Sequence, residues 1–407
     1  MTGNEILQKA LQDKENIIAH RRFLHSRPEI GFDLTETIAY VQKKLTEMGY
    51  SVQPCGKSGI VVCAGGKKPG KVFLIRADMD ALPIKEEAHV EYASANGNMH
   101  ACGHDMHTAM LLGAAQILKD FEAEICGTVK LMFQPAEELL AGARDMLEAG
   151  VLKNPDVDAG LMMHVMTGMP FPAGTAIVTS GGISAPAADY FTINIQGKGC
   201  HGAMPYKGVD PINVASHVVL ALQEISAREL AYEDDAALTI GSFQAGSASN
   251  IIPDTATLRG TLRAYDEEIR NHIKNRMTEI VSHTAAAFRA KATVTFDAGC
   301  PTLQNDESLS SNILQYAREL LGENMALSTA QLSNPAVGNP SKSSGSEDFA
   351  YISHEIPTVM IALSATPTGD TPHYPLHHPQ VTFDENALPY GAAIYAYTAL
   401  RFLEDRK

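Results

Sequence analysis

Four apolar runs stand out along the chain, and polar residues of ligand type follow the first three directly. The run "KVFLIRADMD" predicts a strand over Val72–Ile75 that leads into Arg76, Asp78 and Asp80. "GTVKLMFQPAEE" predicts a strand over Thr128–Phe133 that leads to Glu137 and Glu138. "DAGLMMHVM" predicts a buried strand that reaches His164, and "PTVMIALSA" a fourth strand after the polar stretch "SSGSEDFAYI". Helical periodicity separates them, as in "HTAMLLGAAQILKD" and "ARDMLEAGVL", and "MTGNEILQKALQDKENIIAHRRFLH" predicts one polar, amphipathic N-terminal helix. Strands alternating with helices imply an α/β fold, its mostly parallel sheet covered on both faces. In such sheets ligands bind beyond the carboxyl ends of the strands. The ionisable residues therefore fall on the rim where a site is expected.

From about residue 186 the pattern changes. "DYFTINIQG" alternates as a strand, "DPINVASHVVLALQEISAREL" is helical, and "AALTIGSFQ" and "TATLRGTLRAY" are two further strands. "DEEIRNHIKNRMTEIVSHTAAAF" follows as a second helix and "KATVTFDAG" as a last strand. The order β-α-β-β-α-β is ferredoxin-like and predicts an inserted α+β domain over 186–298. The main domain then comprises 1–185 and 299–407, resuming with the helix "SLSSNILQYARELLG". A chain of 407 residues exceeds what one hydrophobic core usually supports, which agrees with two domains.

Charge narrows the partners. The formal charge of −15 argues against nucleic acid or an anionic membrane surface, both of which need clustered Lys and Arg. No segment approaches the apolar length of a membrane span, and the N-terminus lacks a signal-type apolar core. Six cysteines lie far apart without a CxxC pair, which favours a reducing, cytoplasmic compartment.

The richest chemistry lies in "MHACGHDMHTA", where His100, Cys102, His104 and His107 crowd beside Asp105. Cys102 and His104, two apart in a tight loop, can aim thiolate and imidazole at one divalent metal. A buried cysteine and a helix-capping histidine would look the same. Glu137 and Glu138 are adjacent after Pro135, so one can ligate while the other stays free as a general base. An exposed helix start is the plain alternative, though here the pair follows a buried strand. His164 and the loop histidines His373, His377 and His378 of "PHYPLHHPQVTFDE" extend the set. Together these donors exceed what one open tetrahedral zinc needs, which favours two metals.

Several stretches resemble the aminoacylase-like dinuclear metallopeptidases, in the branch of hippurate hydrolases, N-acyl-amino-acid amidohydrolases and auxin-conjugate hydrolases. They are "RRFLHSRPEIGFDLTET", "IRADMDALPI", "HACGHDMHTAMLLGAA", "FQPAEE", "GKGCHGAMPYKGVDPI", "GSASNIIPD", "GTLRAY", "SGSEDFAYI" and "LHHPQVTFDE". The resemblance spans nearly the whole chain in order. It implies a catalytic domain holding two divalent ions and an inserted lid that often forms a homodimer. By matching motif, Cys102 would bridge the metals, with His104, Glu138, His164 and His377 completing their ligands. Glu137 would be the general base, and His201 of "CHGAMP" would polarise the carbonyl or stabilise the oxyanion. Asn250 and Arg263 lie in lid motifs that face substrate, where a free carboxylate would suit both. Asp80 would orient a histidine ligand.

The expected reaction is hydrolysis of the amide in an N-acyl amino acid or a small dipeptide-like conjugate. A metal-bridging hydroxide would attack the carbonyl, and Glu137 would shuttle the proton to the leaving amine. Zn²⁺ or Mn²⁺ fits the donors, with Co²⁺ and Ni²⁺ compatible and thiolate favouring zinc. The alternatives are a dipeptidase or carboxypeptidase with the same chemistry, or a metal-binding protein without catalysis. A storage site would have no need of a free base beside Glu138.

Overall fold

The computed structural model describes residues 2–332, 342, 345–369 and 373–405. The chain divides into two compact units. Met1–Ser184, Gln304–Lys342 and Asp348–Lys407 form the first, and Ala185–Leu303 with Ser343–Glu347 the second.

In chain order the first unit supplies helices α1 (Gly3–Gln12), α2 (Lys14–His25), α3 (Thr35–Glu47), α4 (His104–Asp120) and α5 (Gly142–Glu148). Its first strands are β1 (Gln53–Cys55), β2 (Gly59–Gly65), β3 (Val72–Asp78), β4 (Thr128–Gln134), β5 (Ala159–Met166) and β6 (Ala176–Val178). The second unit interposes β7 (Ala187–Gln196), α6 (Pro211–Glu224), β8 (Ala236–Ala245), β9 (Thr255–Ala264), α7 (Glu267–Ala287) and β10 (Lys291–Cys300). The chain then returns to the first unit with α8 (Glu307–Leu321), β11 (Ala326–Ser328), β12 (Thr358–Ser364) and α9 (Ala387–Asp405).

The first unit is built on an eight-stranded sheet in the order β1-β2-β4-β3-β5-β12-β6-β11. Its centre, β4-β3-β5-β12, is parallel, while β2 joins β4 and β6 joins β12 antiparallel. Every residue of β3 and β4 is buried, as strands covered on both faces require. Helix α4 is apolar nearly all round and accordingly sits inside, packed by α2 and α9.

One expectation needs correcting: the N-terminal segment is two helices. The amide of Asp13 closes α1 on the carbonyl of Lys9 at 3.1 Å, and α2 starts at the next residue. An Asp side chain competes for local hydrogen bonds, here taking Asn16 Nδ2 at 2.5 Å, and so favours a break. The break lets α1 pack on α9 while α2 packs on α4.

The second unit is a four-stranded antiparallel sheet, β8-β9-β7-β10, the ferredoxin-like order, with α6 and α7 on one face. Its separate core interleaves Phe191, Ile193 and Leu258 with Val218, Met277 and Val281. Asp210 and Asp266 cap the two helices by accepting N–H bonds from their first turns.

Candidate metal centre

Three neighbouring parallel strands deliver the polar residues to one rim of the first unit's sheet. Strand β3 runs into Asp78 and Asp80, β4 leads through Pro135 to Glu137 and Glu138, and β5 carries His164. The loop before α4 brings Cys102, and α4 opens with His104. Gly103 between them has φ 86° and sits where a Cβ would stand 2.4 Å from Val165 Cγ2. Only glycine combines that backbone with that closeness, so the Cys-Gly-His turn is pressed against the strand bearing His164.

Of the donor groups that come together among the described residues, two share one sulfur. Cys102, His104 and His164 make one, and Cys102, Glu138 and His377 the other, with ligand atoms in each lying within 4.8 Å of one another. Cys102 Sγ lies 3.5 Å from His164 Nε2 and 3.2 Å from His377 Nε2. His377 Nε2 lies 3.5 Å from Glu138 Oε1. His377 holds a left-handed φ of 66°, and its amide bonds the carbonyl of Ala101, which ties its loop beside Cys102. Glu137 is buried, with Oε2 3.9 Å from His104 Nε2.

The surroundings orient the imidazoles. His104 Nδ1 donates to the carbonyl of Asp80 at 2.8 Å, and His164 Nδ1 to that of Val165 at 2.8 Å, so each turns a bare Nε2 inward. Asp80 thus orients His104 through its main chain. Its carboxylate does something else, accepting the amides of Glu137 and Glu138 at 3.0 and 3.2 Å. His107 spends both nitrogens, donating to Asp78 at 2.6 Å and accepting from the Val165 amide at 2.8 Å. His100 is buried beside this network, and burial holds its pKa down to about 3.

These residues fit divalent metal. His104 Nε2 and Glu138 Oε1 are buried with no hydrogen-bond partner among the described residues, a costly arrangement unless a cation satisfies them. Burial pushes the Cys102 thiol well up and Glu138 up to about 7. A cation between them would reverse both shifts. His164 is kept neutral, at about 3, chiefly by burial. Burial opposes a charge on Asp78, yet the charge of Arg76 outweighs it and holds its carboxyl well below the usual range.

Two buried networks lie behind the site; from sequence Arg76 and Asp78 could equally support the ligands or be structural, and the partners in both networks are not legible. Arg21 Nε and His25 Nδ1 both donate to Asp105 Oδ2 at 2.8 Å, and His25 Nε2 meets Glu86 at 3.0 Å. Arg21 also bonds Tyr92 and Glu385. Arg21 and His25, four apart on a polar helix, share one face, which was the available signal. The second network joins Arg76 to Asp78 at 2.7 Å, Gln134 at 2.8 Å and Asp348 at 3.2 Å.

His201, Asn250 and Arg263 belong to the second unit. His201 pairs with Ile251, and Gly202 donates to the carbonyl of Asn250 at 2.8 Å, so these two lie together. Arg263 is at the far end of β9, opposite Ala188, whereas Thr255 at the near end faces Gln196. Eight residues of strand separate those ends by roughly 25 Å. The geometry does not carry a single carboxylate shared by Asn250 and Arg263.

Comparison with known proteins agrees with this geometry. The sequence pattern of peptidase family M20/M25/M40 matches residues 74–401. The chain is 37% identical to an N-acetyl-L-cysteine deacetylase of Bacillus subtilis, over 100% of this chain and 94% of that one. It is 35% identical to the IAA-amino acid hydrolase ILR1-like 4 of Arabidopsis thaliana, over 96% and 86%. The crystal structure of the Bacillus subtilis YXEP protein, described as a dinuclear metal binding peptidase from the M20 family, superposes with a TM-score of 0.76. It shares 34% identity over 96% of this chain and 98% of that one. With its fold, its donor set and its full-length relatives in accord, this chain belongs to peptidase family M20/M25/M40.

Proposed function

We propose that the protein is a metal-dependent amidohydrolase that cleaves the amide of N-acyl amino acids or small amino-acid conjugates. The observation that carries this reading is the pair of donor sets sharing Cys102 Sγ, with the buried Glu137 beside them. Cys102, His104 and His164 would hold one divalent ion, and Cys102, Glu138 and His377 a second. Such ions supply polarisation of the amide carbonyl and a water acidic enough to attack it near neutral pH. Zn²⁺ suits the thiolate best, and Mn²⁺, Co²⁺ or Ni²⁺ remain compatible.

Glu137 takes the proton of the attacking water and delivers it to the leaving amine. The Asp80 carboxylate, by holding the amides of Glu137 and Glu138, keeps the base and the ligand in their separate directions. His201 Nδ1 accepts the amide of Ala203 at 3.1 Å, so its proton sits on Nε2. That exposed N–H is a donor for the tetrahedral oxyanion.

The partner assignment is a homodimer through the second unit. Among the described residues strand β8 pairs only with β9, which leaves its other edge open, and an open edge is a template for strand addition. A small substrate does not span the distance between His201–Asn250 and Arg263. Six free cysteines favour a cytoplasmic setting, and no helix among the described residues is long and apolar enough to cross a membrane.

The test is turnover of N-acetylcysteine, N-acetylmethionine, hippurate and an indoleacetyl amino acid by metal-loaded protein. Activity that chelation abolishes and added metal restores is expected. Full metal occupancy with no turnover across the panel would overturn the enzyme reading in favour of metal binding alone.

A further inference from the structure

We infer that Leu139 is a specificity-determining contact for an apolar group of the substrate, a step that rests on the amidohydrolase reading above. Among the described residues of the first unit, Leu139 is the one large apolar side chain that is exposed, at 47%. A lone exposed leucine is ordinary on a protein surface. This one follows Glu137 and Glu138 directly, beside the donor atoms.

Its position is built. Ala136 and Leu140 on either side hold left-handed φ angles of 52° and 51° without being glycine, a conformation that persists only where the surroundings enforce it. The enforcing bonds run from the Ala136 amide to the carbonyl of Gly31 at 3.1 Å, and from the Glu137 and Glu138 amides to Asp80. The turn buries Ala136 and Leu140 and leaves Leu139 outside. Gly31 forms its seat: with φ 60°, a Cβ there would stand 2.7 Å from Leu139 Cδ1. A side chain fixed at its root, cradled on one side and open on the other, loses water when an apolar ligand group covers it.

The apolar group can come from the acyl half or from the amino-acid side chain, and two substrate series separate them. One runs from N-acetyl- to N-hexanoyl-methionine, the other from N-acetyl-alanine to N-acetyl-leucine. Leu139→Ser is expected to lower kcat/KM for the longest member of one series about tenfold, mainly through KM, and the shortest less than about threefold. Metal content should stay unchanged. Leu139→Met should restore the preference, and Gly31→Ala, which displaces Leu139, should weaken it in the same direction. A uniform change along both series, or none, would overturn the assignment. Failure of the unsubstituted, metal-loaded protein on both series would instead sink the amidohydrolase reading, and this inference with it.

Discussion

The carboxylate of Asp80 accepts the backbone amide of Glu137 at 3.0 Å with one oxygen while its other takes that of Glu138 at 3.2 Å. One side chain thereby fixes two adjacent residues whose proposed tasks differ. Asp80→Ala strands two amides, and each unsatisfied buried group costs about 1–3 kcal/mol. A clear drop in melting temperature and a loss of at least about a hundredfold in kcat are expected. Asp80→Asn, which keeps one acceptor oxygen, should fall between. Thermal melts and steady-state kinetics together check this, and an Asp80→Ala protein with normal turnover would remove Asp80 from the site's support.

The two glutamates should separate cleanly. Glu137→Gln is expected to retain both metals and lose about a thousandfold in kcat, within the range for a general base. Glu138→Gln should lose metal. Elemental analysis beside kinetics reads both, and the reverse pattern would exchange their roles.

Metal loading should release protons. Without a cation, burial keeps the Cys102 thiol protonated and holds Glu138 at about 7, so both carry protons near neutrality to a substantial degree. Binding requires their anions. Titrating metal into chelated protein at pH 7, in buffers of different ionisation enthalpy, should report net proton release that Cys102→Ser reduces. Proton-neutral loading would exclude Cys102 as a thiolate ligand.

Away from the metal donors, Glu385 sets an acid limb of stability. Burial raises its pKa, but the hydrogen bonds from Arg22, at 2.6 Å for the shortest, and the charge of Arg21 outweigh that and lower it. A folded pKa below the unfolded value gives stability that is complete above the unfolded pKa. It is lost as pH falls through the folded one. Glu385→Gln should therefore cost about 1–3 kcal/mol at pH 7 and flatten the decline below about pH 4. Denaturant melts across pH 3–8 would show it, and parallel curves for the two proteins would contradict it.

Much of this protein is legible along the chain. Apolar runs ending in Asp78, Asp80, Glu137, Glu138 and His164 declare buried strands and their polar ends, because strand periodicity is a local property. Cys102 and His104 are likewise visible as a pair, since only Gly103 lies between them. The ferredoxin-like unit is readable from its order of strands and helices alone.

What only the tertiary structure decided is which of these ends meet, and through which atoms. Strand order puts β3 between β4 and β5, and no local pattern specifies that order. Folding likewise sets His377 against Cys102, 275 residues away in sequence. Asp80 could be read as a histidine's partner, but not that its carbonyl does that work while its carboxylate grips two amides. Arg21 and His25 lie in a polar helix, and only the packing of α2 on α4 buries them against Asp105. Asn250 and Arg263 look like companions in sequence, yet Asn250 precedes the near end of the strand Thr255–Ala264 and the register puts Arg263 at its far end. Periodicity reports how each segment divides between water and core. Side-chain partnerships depend on register and packing between segments, and those are properties of the folded whole.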